Sequence, residues 1–112
     1  MRSGASSKAD MPEESRIAIE VDEDIIDLAE GFIENRLADA ELLHQAIADA
    51  NWTTLHRIGH ELKGTAGSYG FRDLSALGLE LETAAAARNA AGAADAAGRM
   101  LNYLARVRVL PR

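Results

Sequence analysis

Apolar residues recur along most of this chain at three- and four-residue steps, the spacing that gathers side chains on one face of an α-helix. Ile25, Leu28, Ala29, Phe32, Ile33 and Leu37 form the first series, with Asp22 or Asp24 placed to cap it. A second series, Leu42, Leu43, Ala46, Ile47 and Ala50, follows Asp39, which reads equally as the cap of a new helix or as a bend in one long helix. Both readings end at Asn51, a turn or cap residue. The third series predicts a helix from about Trp52 to Tyr69, stopped at Gly70, because glycine readily takes the left-handed conformation that ends helices. A fourth helix begins near Asp73 and buries Leu74, Leu77, Gly78, Leu81, Ala84 and Ala85, with Glu82 just beside that stripe, where it faces the third helix. Asn89 to Gly92 reads as a helix-ending turn, and Ala94, Ala97, Leu101, Leu104 and Val107 then carry a last helix as far as Pro111.

The short connection at Gly70 makes the third and fourth helices an antiparallel pair. The whole pattern predicts an all-α fold, an antiparallel up-down four-helix bundle over residues 21–110 with its first element either continuous or broken, and no internal repeat. Residues 1–20, rich in Ser, Gly and charge and lacking an apolar period, read as a flexible tail or linker remnant. Within that tail Ile17, Ile19 and Val21 alternate, the pattern of a short extended segment laid against the bundle.

Composition agrees with helices. Hydrophobic residues make up 47% of the chain but aromatics only 4%, and alanine and leucine replace the β-branched and aromatic residues on which strands draw. A formal net charge of −6 with no basic run argues against nucleic acid as a partner. The absence of cysteine removes thiol catalysis, disulfides and thiolate metal sites, and fits a reducing compartment. No apolar run approaches the ~20 residues that cross a bilayer, and the N-terminus lacks the apolar core of a signal peptide. A monomeric cytoplasmic protein is the expectation.

The chemistry concentrates between His60 and Phe71. On the third helix Leu55, Ile58, Leu62, Thr65, Ala66 and Tyr69 share one side, and His56, His60, Lys63, Gly64 and Gly67 share the other. An imidazole on a wet face is a nucleophile that titrates near neutral pH, and Lys63, three residues on, puts a fixed positive charge beside it. That pair suits a phosphoryl group. Glycine inside a helix costs about 1 kcal/mol relative to alanine, so Gly64 and Gly67 need a reason, either clearance for a phosphate and a partner's surface or helix packing. His56 and His60 also have a spacing that binds zinc from one helix face, but two ligands are too few and no third suggests itself, so no metal or other cofactor is expected. His44 reads as a surface residue.

These residues resemble the histidine-containing phosphotransfer (HPt) domains, whose motif runs His-x-[Leu/Ile/Met]-Lys-Gly-small-small and on to a glycine before the next helix. His60, Leu62, Lys63, Gly64, Thr65, Ala66 and Gly70 fit it, Asn51-Trp52 matches a helix start often seen ahead of it, and the likeness covers roughly Asp22 to Val109. The resemblance implies a phosphorelay intermediate rather than an enzyme, with His60 as phosphoacceptor on an exposed helix face. It also implies Lys63 as charge support, receiver domains as partners, and a docking face including His56, Arg57, Gly64 and Gly67. Arg57 and Arg72 flank the site, where they meet either acidic groups on a partner or carboxylates of their own chain. Where well-known members hydrogen-bond the histidine through a glutamine, the match here falls on Glu82. This departure leaves Glu82 with two readings, a surface carboxylate or the residue that orients His60. Two other functions stay open, a chemotaxis-type phosphoacceptor labelled by a kinase domain, and a helical interaction module without phosphotransfer.

Overall fold

The computed structural model describes residues 16–112, and the predicted tail up to residue 15 lies outside them. Strand β1 (Ile17–Val21) leads through a short 3₁₀ turn (Glu23–Ile25) into helices α1 (Ile26–Ala38), α2 (Ala40–Ala48), α3 (Trp52–Ser68), α4 (Arg72–Ala86) and α5 (Ala90–Arg106), and the chain closes with strand β2 (Val107–Pro111). The described residues are thus mostly helical, as the periodicity requires.

Local chemistry sets most boundaries. Asp22 Oδ1 accepts from the Asp24 amide at 3.0 Å and starts the 3₁₀ turn. The first and second apolar series form two helices and not one: the Asp39 amide bonds back to the Arg36 carbonyl at 3.2 Å while its carboxylate pairs with Arg36 at 2.9 Å, and the chain restarts as α2. Ala50, with φ of 51°, turns the chain out of α2. It is therefore a turn residue and not part of the apolar face. Asn51 then caps α3, its Oδ1 accepting from the Thr54 amide at 3.2 Å. Gly70, at φ of 85°, ends α3 as expected of a glycine in that place. Arg88 at φ of 54° ends α4, and Asn89 caps α5 through the Gly92 amide at 3.0 Å, so Gly92 lies in the first turn of α5 and not in the connection.

The core is a layer of leucine and alanine between helices, in which Leu55, Leu62, Leu74, Leu81 and Leu104 are almost fully buried, joined by Phe71 and Ile33. Four expected stripes differ in membership. On α5 the buried set is Ala93, Ala96, Ala97, Met100, Tyr103 and Leu104, while Ala94 is exposed and Leu101 only half-buried. Thr65 on α3, Leu28 on α1 and Leu42 on α2 are exposed too.

The chain is not helical to Pro111. Val107 to Pro111 leaves α5 as a strand and pairs in parallel with β1, Ile17 opposite Val107 and Val21 opposite Pro111. β-Branched residues recur at alternate positions in both segments, Ile17, Ile19 and Val21 in one and Val107 and Val109 in the other, and side chains with stiff χ1 angles favour a pleated strand over one more helical turn. Val21 and Val107 are buried in the shared core. Residues 17–20, expected in the tail, are therefore part of a strand, and the alternation at Ile17, Ile19 and Val21 marks it.

Candidate functional site

The α3–α4 interface is the most extensive between any two elements, and glycine makes it close. A Cβ on Gly59 would lie 2.6 Å from the Glu82 amide nitrogen and 2.7 Å from the Gly78 carbonyl oxygen, and one on Gly78 would lie 2.7 Å from the Lys63 amide nitrogen. Backbone meets backbone here, and no other residue fits. The Ser75 hydroxyl completes the contact by donating to the Lys63 carbonyl at 2.7 Å. Close approaches pair Gly59 with Gly78 and Glu82, Lys63 with Gly78 and Ser75, and Gly67 with Ser75, so positions rise along one helix as they fall along the other.

This contact brings a carboxylate to the imidazole. Glu82 Oε2 lies 2.9 Å from His60 Nδ1, and Lys63 Nζ donates to Glu82 Oε1 at 2.9 Å. Each carboxylate oxygen therefore has its own nitrogen partner. The hydrogen bond from Lys63, and after it the one from His60, holds the Glu82 carboxyl below its ordinary value of 4.5. An ionised carboxylate only accepts, so a neutral His60 carries its proton on Nδ1 and presents the Nε2 lone pair outward. The His60 side chain is 64% exposed while that of Glu82 is 15% exposed, so the imidazole stands in solvent on a largely buried carboxylate.

The remaining expected site residues divide. His56 stands one turn before His60, with Nε2 3.6 Å from the same Glu82 oxygen. Nothing lies within 4 Å of a Cβ built on Gly64, and one on Gly67 would only touch Ser75 Oγ at an ordinary 3.5 Å, so Gly64 fronts open space. Arg57 turns away from this cluster: it pairs with Glu61 at 3.3 Å and helps line a cleft of about 150 Å³ with Ile58, Leu42 and Leu101. His44 and Arg72 are exposed. The lysine's face is also not opposite the core, because Lys63 is half-buried on the flank against α4.

Gly59 is the residue sequence reasoning missed, and Gly78 was placed in the stripe without its reason. A signal existed, since each is a helix-interior glycine beside apolar neighbours, yet a glycine against backbone and a glycine against solvent look alike in sequence. Among the described residues no group of three or more histidine, aspartate or glutamate side chains is arranged to hold a metal ion.

His60 is thus an exposed histidine whose Nδ1 edge meets a carboxylate, with a lysine one turn on and a glycine in the open beside it. The family model for the Hpt domain matches residues 27–109. The chain belongs to this family. Hpt domains are histidine phosphotransfer modules of two-component systems, carriers of a phosphoryl group that interact with receiver domains. No curated protein and no solved structure matches the chain closely enough to add to this. None of the described helices in this Hpt domain is long and apolar enough to cross a membrane.

Proposed function

We propose that this Hpt domain shuttles a phosphoryl group between receiver-domain aspartates through His60, displayed on an antiparallel up-down four-helix bundle in which α1 and α2 together supply one member. The observation that carries the reading is the 2.9 Å contact of His60 Nδ1 with Glu82, which leaves Nε2 free on an exposed side chain. In the forward step Nε2 attacks phosphorus, the P–N bond forms, and the P–O bond to the receiver's aspartate breaks with the electron pair leaving on the carboxylate. The proton stays on Nδ1 against Glu82. The second receiver's carboxylate reverses the step. Phosphoryl transfer rests on positioning and charge stabilisation, and here Lys63 keeps a positive charge within one turn of the phosphorylated ring. Open space at Gly64 supports docking on this face, and His56, Gly67 and, further round the helix, Arg57 would border it. The receiver would supply the acidic cation site, this domain the nucleophile.

Incubation with a panel of phosphorylated receiver domains tests the reading. At least one should label the parent and none should label His60→Gln, whose helical circular dichroism and melting temperature stay parental because an exposed side chain contributes little to packing. The label should be lost in acid and kept in base, as a phosphoramidate requires. Equal labelling of the mutant sinks the assignment.

A further inference from the structure

The rings of His56 and His60 lie nearly parallel, 6° apart in plane with centroids separated by 6.5 Å. Residues four apart on a helix are neighbours, and aromatic rings at this range attract in offset stacked geometry. His56 also faces the carboxylate that orients His60, at 3.6 Å against the 2.9 Å of the phosphoacceptor's own contact. The longer distance is outside hydrogen-bond range, so His60 keeps the carboxylate and His56 adds a ring against it. Among the described residues the titratable groups facing His56 are Glu82 from α4 and His60 on its own helix, with Lys63 reaching Glu82 from the far side.

We propose that His56 is a positioning residue for phosphoryl transfer: its ring, stacked on that of His60, fixes the direction in which Nε2 points. A single hydrogen bond at Nδ1 fixes one edge of an exposed imidazole but leaves the ring free to swing about that edge. A flat neighbour one turn away restricts the swing, and the remaining freedom leaves Nε2 aimed at solvent. The inference rests on the reading of His60 as phosphoacceptor, and it gives His56 a part other than contact with the partner.

The test follows label transfer from a phosphorylated receiver over a range of receiver concentrations, for the parent, His56→Ala and His56→Phe, with helical circular dichroism recorded for each. His56→Ala should lower the limiting rate about tenfold, the cost of a nucleophile held less well in line. The receiver concentration at half-maximal rate, which a residue at the border of the docking face also influences, should change by a smaller factor than the limiting rate. His56→Phe, which keeps a flat ring and discards both nitrogens, should return to within about threefold of the parent. Four results overturn the proposal: parental limiting rates in both variants, a loss confined to the half-maximal concentration, a phenylalanine variant as slow as the alanine one, or a slowed alanine variant that has also lost helicity. A parent that takes no label from any donor, or a His60→Gln variant that does, overturns the phosphoacceptor reading beneath it. Parental labelling with indifferent His56 variants defeats only the role of His56.

Discussion

Gly59 and Gly78 meet backbone at distances no Cβ tolerates, whereas Gly64, on the same helix as Gly59 and five residues on, meets nothing within 4 Å. The first pair closes the gap between α3 and α4 so that a glutamate side chain spans from one helix to the imidazole and lysine on the other. Gly64 leaves the space in front of that imidazole empty. The same residue type thus closes a helix contact at one place and leaves open space at another, and only the neighbour across the gap tells them apart. Glu82 belongs to the closed side, since its own amide packs on Gly59 while its carboxylate reaches the open side.

The largest effect should come from breaking the closed pair. Gly59→Val drives a branched side chain into the Glu82 and Gly78 backbone, and its cost should reach about 3 kcal/mol, the upper range for overpacking, read as a large fall in melting temperature. If the variant melts like the parent, the helices do not approach as closely as described. Next comes the open glycine. Gly64→Gln should keep the parental melting curve and lower phosphoryl acceptance about tenfold, since a side chain there obstructs approach without touching the core. Unfolding with normal transfer in the folded fraction would put Gly64 in the packing class.

A smaller effect concerns the residue that joins the two sides. Glu82 is held below its ordinary value by Lys63 and His60, so its ionised contacts stabilise the fold at neutral pH, and that contribution is lost as pH falls below 4.5 through the lowered folded value. Glu82→Gln removes the titrating group. The drop in melting temperature on acidification from neutral pH to well below 4.5 should therefore be smaller in the variant than in the parent. Equal drops would mean that the carboxylate is not engaged. The smallest effect lies away from the site, at the left-handed Ala50, where Ala50→Gly should stabilise by about 0.5 kcal/mol as relief of the Cβ clash exceeds the entropy of glycine. A loss of stability there would show that the turn favours alanine.

Much of the helical frame was legible because period and punctuation agreed. Leu55, Leu62 and Ala66 repeat at helical steps and Gly70 ends them, and the same holds from Leu74 to Ala85 on α4. Alanine defeated the reading of α5. With alanine at 93, 94, 96 and 97 the phase of the stripe depends on the larger side chains nearer the C-terminus, and Leu101 and Val107 suggest one face while Met100 and Tyr103 occupy the other. Val107 falls three residues after Leu104, a helical step, yet it begins β2 because its partner strand lies some ninety residues away in the chain, beyond the reach of any local pattern. For the candidate site, the residue types and spacing of His60, Lys63 and Gly64 were readable from the motif. Which way Glu82 turned was not, because that depends on the Gly59–Gly78 contact across two helices. For Arg57 the choice between a partner's acidic groups and a carboxylate of its own chain was equally illegible, as helical angle alone does not say that its side chain follows Glu61.

The role given to Glu82 and to the exposed edge of His60 depends on which atom carries the phosphorus. Nuclear magnetic resonance of the phosphorylated, nitrogen-labelled protein, correlating phosphorus with the His60 ring nitrogens, tests it most directly. Coupling of phosphorus to Nε2, with a protonated Nδ1 still engaged by Glu82, is the predicted result. Phosphorus on Nδ1, or on any residue other than His60, would contradict it.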